Sequence, residues 1–258
     1  MAEAILSALA MKGALGRENV IVSDPSEVRR QILAERYPVT TTHDNLEVTR
    51  KSEVIILAVK PQNLPRVIDE IGGRLSPSQM VISIIAGVKL RKLTEGLKTE
   101  KVVRAMPNIL AQIGQGVTLW MASETLSQQE KDRVRYILGI LGRELSTNNE
   151  EELDIATALS GSGPAYAFFF TESLIEASRE LGMSESTARI LISQTLSGSG
   201  QLVIESGLDI GELRRRVTSP GGTTAAALKV FEGENLKGTI KKAIRAAYLR
   251  AKELSELA

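Results

Sequence analysis

Residues 217–225, with the sequence Val-Thr-Ser-Pro-Gly-Gly-Thr-Thr-Ala, place hydroxyls and backbone amides just before a predicted helix. Pro220 fixes φ in the turn, and the two glycines after it can adopt φ values that are closed to other residues. Either of the next two threonines can cap the helix. Free N–H groups and the positive end of the helix dipole then point at one spot, which suits a carboxylate or a phosphate. Taken alone, the same sequence also fits an ordinary capped loop between two helices.

The bulk composition limits what the protein can be. Its 258 residues are 43% hydrophobic and 24% charged, which is typical of a soluble globular protein with room for two domains. The net charge of +1 provides no global field for nucleic acid or an anionic membrane. The chain has no cysteine and a single histidine, His43, so we expect no metal site. No apolar run approaches the roughly 20 residues that span a bilayer, and the cytoplasm is the expected compartment.

The first half of the chain alternates short apolar runs with helical patterns. The predicted strands are 20–24, 54–59, 80–86, 102–106, 115–121 and 143–147. Several are apolar on both faces, which is typical of a parallel sheet covered by helices on both sides. The predicted connecting helices are 25–36, 61–71, 89–97 and 127–141. The pattern predicts an α/β fold with a doubly wound, Rossmann-like parallel sheet, whose edge lies at the last two strands.

After about residue 150 the strand signals disappear and helical patterns continue to the end. The predicted helices are 151–159, 164–181, 185–206, 210–217, 223–231 and 236–257. Three adjacent aromatic residues, 168–170, cannot share one helix face, so we expect their helix to be buried nearly all round, in a core or a subunit interface. A helical domain this apolar is expected to need a partner subunit. We therefore predict two domains, residues 1–147 and 148–258.

The start of the chain lacks two features of a complete doubly wound sheet. The chain opens in a helical pattern, residues 1–10, and the first predicted strand has the character of a second strand. A dinucleotide-binding domain of this class places a glycine-rich phosphate loop between its first strand and first helix. Without that strand, backbone donors and acceptors in the middle of the sheet would be unpaired. We therefore expect a sheet domain that is incomplete at its N-terminus, in a chain that begins downstream of its natural start.

Five motifs occur in order along the chain. They are Ala-Val-Lys-Pro at 58–61, Ala-Gly-Val at 86–88, Arg-Ala-Met-Pro-Asn at 104–108, Leu-Ser-Gly-Ser-Gly-Pro-Ala-Tyr at 159–166 and Val-Thr-Ser-Pro-Gly-Gly-Thr-Thr at 217–224. With these motifs the sequence resembles the pyrroline-5-carboxylate reductases over essentially its whole length. It departs from the family at Ile109-Leu110, where Thr-Pro is frequent, and at Leu208-Asp209-Ile210, where Glu-His-Pro is frequent.

The resemblance implies transfer of a hydride from NADPH or NADH to C5 of 1-pyrroline-5-carboxylate, giving L-proline in the last step of proline biosynthesis. A protonated cyclic imine is already electrophilic, so the protein mainly has to hold C5 against the nicotinamide and fix the carboxylate. The loop and the family pattern together indicate the substrate-binding residues Ser219, Gly221, Gly222, Thr223 and Thr224. Thr224 and Lys60 are the predicted catalytic residues.

The predicted cofactor-binding residues are Ser23, Asp24, Asn45, Ala58, Val59, Lys60, Pro61, Ala86, Gly87 and Arg216. Residues 58–61 follow a strand at its carboxyl end, where a dinucleotide lies in sheets of this class. Asp24 can accept from ribose hydroxyls and repel a 2′-phosphate, which favours NADH, but it can also cap the next helix, so both cofactors stay open. Three of the other residues also have an interpretation without a cofactor: Lys60 as a solvated lysine, Asn45 as a helix cap and Arg216 as part of a solvated helix face.

Other functions also remain open. A non-catalytic paralogue could keep the fold without the chemistry, and a related reductase could act on another cyclic imine. A β-hydroxyacid enzyme would need a catalytic lysine early in the second domain, yet no lysine occurs between Lys131 and Lys229. The resemblance implies a homodimer that can assemble further into a decamer, with a small-molecule substrate and no nucleic-acid or membrane partner.

Overall fold

The computed structural model describes the backbone of residues 1–257 and the side chains of residues 1–255. By its internal contacts the chain forms two compact units. The first contains Met1–Pro164 together with the described residues from Ala246 onward, and the second contains Ala165–Arg245. These units are defined by packing within one chain. The predicted boundary between residues 147 and 148 concerns functional domains instead, and this boundary stays a prediction.

The first unit alternates strands with helices, as the sequence predicts. Its elements in chain order are α1 Ala2–Met11, β1 Ile21–Ser23, α2 Glu27–Arg36, β2 Thr40–Thr42, α3 Asn45–Lys51, β3 Val54–Leu57, α4 Leu64–Ile71, β4 Met80–Ser83, α5 Leu90–Leu97, β5 Val102–Met106, β6 Gly116–Ala122, α6 Gln128–Gly139, β7 Gly142–Ser146 and α7 Glu150–Ala156. Short 3-10 helices lie at Pro61–Asn63 and Ile109–Ile113, and a π-helical turn at Thr157–Gly161 continues α7.

The strands form two sheets. One contains β1 and β2 in parallel, and the other has the order β3-β4-β5-β6-β7. Within the larger sheet only the β5–β6 pair is antiparallel, and β7 lies at an edge as predicted. The connection at 107–115 explains this pair, because it holds a 3-10 helix and is shorter than the roughly dozen residues that a parallel crossover requires. The predicted parallel sheet is therefore confirmed for β3, β4 and β5, whereas β6 and β7 run in the opposite direction.

Of the strands and α-helices in the first unit, β2 and α3 were not predicted. The strand β2 consists of three threonines, which favour strands but give no apolar alternation. The helix α3 begins after Asp44, whose side chain accepts from the Leu46 amide at 2.8 Å. The opening helix is confirmed as α1, and among the described residues no strand precedes β1, which pairs with β2.

Helices cover both faces of the larger sheet, which is the predicted doubly wound arrangement. On one face α1 and α6 pack against Ile82 and Val103, and the same core contains Trp120, which is 2% exposed. On the other face α4 and α5 pack against Val81 and Val102. Because successive residues of a strand point to opposite faces, the neighbouring apolar residues Val81 and Ile82 of β4, and Val102 and Val103 of β5, serve the two cores in turn.

The second unit is helical. Its helices are α8 Gly163–Glu180, α9 Glu185–Ser206, α10 Ile210–Arg216, α11 Thr223–Gly233 and α12 Leu236–Leu257, of which α8 begins and α12 ends in the first unit. Ser184 caps α9 by accepting from the Thr187 amide at 3.2 Å, and Gly207 ends that helix with φ +63°. Among the helices that the structure describes, none is long and apolar enough to cross a membrane.

The aromatic residues of α8 are not part of a core within the single chain, so of the two expected settings the subunit interface remains. Phe168, Phe169 and Phe170 are 57%, 72% and 42% exposed in the single chain. The physical reason is that the second unit contributes little core to cover them: of its described residues, only Ala188 is buried. Large apolar side chains that remain exposed together mark a surface that another molecule covers.

Candidate functional site

The first group of predicted cofactor residues lies at one edge of the larger sheet. Residues 58–61 follow β3, and Ala86 and Gly87 follow β4, its parallel neighbour. The Ile84 amide donates to the Leu57 carbonyl at 3.0 Å, so the two carboxyl ends remain paired up to the loops. In sheets of this class, ligands bind in the crevice outside the carboxyl ends of the strands.

Gly87 and Lys60, both predicted to bind the cofactor, differ in how exposed they are to solvent. Gly87 is buried and has φ +75°, a conformation that favours glycine. Lys60 is exposed, precedes the 3-10 helix Pro61–Asn63, and forms no ion pair with a described residue. Lys60 therefore provides an exposed positive charge shortly after the carboxyl end of β3, where it can attract an anion.

The second group of predicted cofactor residues follows the smaller sheet. Ser23 is the last residue of β1, and the Asp24 amide donates to the Thr42 carbonyl at 3.1 Å. The Asp24 carboxylate accepts from the Ser26 amide at 2.9 Å, and Arg30 donates to the Asp24 carbonyl at 2.7 Å. Ser26 itself is the N-cap of α2, so Asp24 shapes the turn before the helix rather than capping it.

Asn45 lies between these two groups along the chain, and its side chain contacts α4. It is the first residue of α3, which Asp44 caps, so the alternative of a cap at Asn45 itself is wrong. Its side-chain amide donates to Glu70 of α4 at 2.5 Å, and Arg66 donates to the other oxygen of Glu70 at 2.9 Å. The Arg66 guanidinium and then the Asn45 amide hold the pKa of Glu70 below its ordinary value of 4.5. Glu70 is therefore an anion at neutral pH and fixes the Asn45 side chain.

The motif at 159–166 also reaches the edge of the larger sheet. Its first residues form the π-helical turn Thr157–Gly161, a feature that often accompanies functional sites. Gly161 lies so close to Met106, the last residue of β5, that a Cβ there would be 2.6 Å from the methionine Cε. None of the predicted site residues lies in this segment, and its closely spaced glycines are the sequence feature that could have pointed to such a close approach.

The predicted substrate loop lies in the second unit, between α10 and α11. Gly221 has φ +70°, as the glycine pair predicts, whereas Gly222 has an ordinary φ of −79°. Gly222 is the N-cap of α11, and no side chain caps that helix. The expectation that Thr223 or Thr224 caps it is therefore wrong: both are helical residues, which lie one and two positions after the cap.

The amides at the start of α11 are suited to an anion. The Gly222 amide already donates to the Ser219 carbonyl at 3.1 Å, which closes the turn around Pro220. The amides of Thr223 and Thr224 belong to the first turn of the helix, where N–H groups have no intrahelical acceptor. They lie at the positive end of the helix dipole, and the absence of a capping side chain leaves that end open to an anion.

Arg216 ends α10, just before this loop. Its guanidinium donates to Glu212 at 3.1 Å, and Arg215 donates to the other oxygen of Glu212 at 2.8 Å. Hydrogen bonds from Arg215 and Arg216 lower the pKa of Glu212. Because both arginines are exposed, these contacts are solvent-screened, and Arg216 can exchange its partner for another anion at little cost.

Comparison with known proteins gives these features a context. A family model described as pyrroline-5-carboxylate reductase dimerisation matches residues 150–254, and one described as NADP oxidoreductase, coenzyme F420-dependent, matches residues 1–87. The pyrroline-5-carboxylate reductase of Synechocystis sp. is 36% identical over 256 residues, which are 99% of this chain and 95% of the relative. That of Pasteurella multocida is 37% identical over 262 residues, which cover 100% of this chain and 95% of the relative.

Solved structures agree with the sequence relatives. Pyrroline carboxylate reductase from Plasmodium falciparum, with NADP bound, is 31% identical with a TM-score of 0.89, covering 98% of this chain and 94% of that one. The enzyme from Coxiella burnetii is 36% identical with a TM-score of 0.89 and the same coverage. A reductive aminase from Aspergillus terreus, 15% identical with a TM-score of 0.55, shares only the fold. The resemblance carried by the five motifs is confirmed, and this chain belongs to the family of pyrroline-5-carboxylate reductases.

Proposed function

We propose that this protein reduces 1-pyrroline-5-carboxylate to L-proline with NADPH or NADH as the hydride donor. The observation that carries the proposal is the uncapped start of α11, where the amides of Thr223 and Thr224 are suited to a carboxylate. Family membership over nearly the whole chain supplies the identity of that carboxylate. A non-catalytic paralogue has no use for such a site, so the intact loop favours an enzyme.

The residues of the first unit fit a nicotinamide dinucleotide. When bound, the reduced cofactor supplies the hydride that C5 of the ring accepts. Residues 58–61 and Ala86 with Gly87 would line its nicotinamide side, and Ser23, Asp24 and Asn45 its adenosine side. The family match at residues 1–87 includes all of these positions and ends at Gly87. Lys60, exposed and without an ion-pair partner among the described residues, would attract the anionic substrate or a cofactor phosphate.

The residues of the second unit would hold the substrate. Two amides at the start of α11 and the Thr224 hydroxyl would bind the carboxylate, while Ser219, Gly221 and Gly222 shape the turn. Fixing the carboxylate fixes the ring, and holding a ring carbon in one orientation is the main contribution that a protein makes to hydride transfer. Arg216 would add positive charge beside the loop, in exchange for part of its contact with Glu212.

Choice between the two cofactors depends on Asp24. Its carboxylate lies at the end of β1, where an acidic side chain accepts from ribose hydroxyls and repels a 2′-phosphate. The Plasmodium falciparum relative, in contrast, has NADP bound. We therefore propose that NADH and NADPH both serve as donors and that Asp24 favours NADH.

Self-association belongs to the same proposal. The match of residues 150–254 to a dimerisation family and the exposed phenylalanines of α8 support a homodimer built through the helical segment. A decamer would require a further contact between dimers. The cytoplasmic location expected from the sequence stays a prediction.

The direct test is oxidation of NADH and NADPH in the presence of 1-pyrroline-5-carboxylate, with wild type and Thr224→Ala compared. Loss of the hydroxyl removes one hydrogen bond to a charged group, so we expect KM for pyrroline-5-carboxylate to rise by about 10-fold or more. The control is Thr218→Ala, because the Thr218 hydroxyl donates to the Arg214 carbonyl at 2.6 Å and not toward the helix start. An unchanged KM in Thr224→Ala would contradict the substrate site, and an inactive, folded wild type would contradict the function.

A further inference from the structure

A cluster of charged side chains, buried at Arg104 and Asp154 and part-buried at Glu150, joins the larger sheet to α7 and the end of α12. Arg104 of β5 has a side chain that is 4% exposed. It donates to Glu150 at 3.0 Å and to Asp154 at 2.6 Å, and Ser255 donates to the same Asp154 oxygen at 3.2 Å. The charges are paired and hydrogen-bonded, which a buried guanidinium requires.

The same Glu150 oxygen also holds the loop that follows β4. It accepts from the Leu90 amide at 2.6 Å, and Leu90 is the first residue of α5. The N-cap residue of that helix, Lys89, provides no side-chain cap. A carboxylate from a distant helix therefore replaces the local cap, and it fixes the point at which the loop enters α5.

The end of α12 touches the same loop from another side. Gly87 is buried at the loop's centre, and a Cβ at this position would lie 3.0 Å from the carbonyl carbon of Leu254 and 3.2 Å from its oxygen. Leu254 precedes Ser255, which is itself bonded to Asp154. The loop is thus held at its end by Glu150 and at its centre by the backbone of α12.

A purely stabilising role does not explain this cluster well. Burying a salt bridge has a desolvation cost that can exceed the attraction between the charges, and apolar residues of similar volume are often as stable in its place. Buried charges do, however, impose one geometry on the groups that they bind. Here that geometry applies to residues 84–89, the loop that contains Ala86 and Gly87.

We propose that Arg104, Glu150, Asp154 and Ser255 form a positioning cluster that holds the loop after β4 in the conformation that receives the nicotinamide end of the cofactor. Glu150 is its central positioning residue, because one of its oxygens joins Arg104 to the loop. The inference rests on the proposed function, in which this loop contacts the cofactor. The inference adds to the proposed cofactor site a part of the chain beyond residue 87, which controls cofactor binding.

The test compares Glu150→Ala with Glu151→Ala. The two residues are neighbours on α7, and Glu151 contacts Tyr248 and Lys252 of α12 but not the loop. Kd for NADH and NADPH, measured by nucleotide fluorescence without substrate, should rise about tenfold in Glu150→Ala and stay within about twofold in Glu151→Ala, as expected for loss of one charge-assisted hydrogen bond. Glu150→Gln keeps an oxygen for the Leu90 amide and should recover most of the affinity.

Hydrogen exchange separates positioning from general loss of stability. Amides of residues 86–90 should exchange faster in Glu150→Ala than in wild type, while those of β6 and β7 stay unchanged.

If Glu150→Ala does not fold, Ser255→Ala removes only one hydroxyl from the cluster and should raise both Kd values by about threefold. Equal Kd values in the Glu150 and Glu151 variants, or in folded Ser255→Ala and wild type, would overturn the proposal. Because these readouts need no turnover, a wild type that binds nucleotide but does not reduce the imine would contradict only the proposed reaction.

Discussion

At the residue scale, the proposed preference for NADH depends on one side chain, that of Asp24. One oxygen of its carboxylate accepts from the Ser26 amide, and this contact fixes the group at the end of β1. A fixed carboxylate cannot turn away from a 2′-phosphate without losing that hydrogen bond. The neighbouring Arg30 is engaged with the carbonyls of Asp24 and Pro25, so part of its hydrogen-bonding capacity is used within the turn.

Replacing Asp24 with serine should shift the preference toward NADPH. Serine can still accept from the Ser26 amide, but it removes the negative charge that opposes the phosphate. We expect the ratio of kcat/KM for NADPH to that for NADH to rise by about tenfold, corresponding to about 1.4 kcal/mol. The measurement is steady-state kinetics with each nucleotide.

Glu35→Gln serves as the charge control for Asp24→Ser, because Glu35 is exposed and near the other end of α2. It removes the same charge at a distance from the β1 end. A ratio that changes equally in both variants would show a general electrostatic effect and would contradict a local role for Asp24.

The residues of the predicted site were accessible from sequence to different degrees. The positive φ of Gly221 follows from two consecutive glycines after a proline, since such a turn needs one residue of unusual φ. The partner of Asn45, in contrast, is Glu70, and nothing in their spacing indicates that α3 and α4 bring them together. The Arg104 cluster was missed for the same reason, because its members lie up to 151 positions apart and meet only through tertiary packing.

At the scale of elements, local patterns predicted strands and helices well where they were apolar and long. The predicted range of β5, 102–106, agrees with the structure because all but its last residue are buried. The three threonines of β2 carried no such pattern, and their strand depends on pairing with β1. The reversal at β6 follows from the length of a connection, which becomes informative only when the neighbouring strand is known.

The start of α6 provides a test of local chemistry in one element. Ser127 and Glu130 form a capping box, and Lys101, just before β5, pairs with Glu130 at 2.6 Å. The Lys101 ammonium, followed by the Ser127 amide, lowers the pKa of Glu130 to about 2. The charged form of Glu130 therefore has a lower free energy in the folded state than in the unfolded state. Its contribution to stability is complete above pH 4.5 and decreases as the pH falls toward 2.

Glu130→Gln should be less stable than wild type at pH 7, with a deficit that shrinks as the pH falls from 4.5 toward 2. Glutamine preserves the capping box but not the attraction to Lys101. The measurement is urea denaturation at pH 7, 4.5 and 2.5, with the exposed Glu124→Gln as control. A deficit independent of pH would mean that Glu130 acts only through its capping hydrogen bonds.

At the scale of the whole molecule, the second unit leaves a large amount of apolar side chain uncovered. Phe169, Ile190 and Leu202 are all more than half exposed in the single chain. The sequence predicted that this helical segment needs a partner, and membership in a dimerisation family supports that interpretation. The sequence predicts this surface on the helices 164–181 and 185–206, but it does not show which residues of those helices form it. An apolar residue in a helix can face a core or a subunit, and the pattern is the same in both cases.

Phe169→Glu should convert the proposed homodimer into a monomer at micromolar concentration. A charge placed in an apolar interface must be desolvated, and truncating a central aromatic residue alone costs about 2 kcal/mol or more of binding energy. Tyr136→Glu is a matched control, because Tyr136 of α6 is also 72% exposed but lies in the first unit. Sedimentation equilibrium of the two variants measures the effect: dissociation in Phe169→Glu alone places the interface on α8, and a dimer in both variants would remove α8 from it. Because Phe169→Glu changes no residue proposed to bind nucleotide, its Kd for NADH also shows whether the cofactor site depends on assembly.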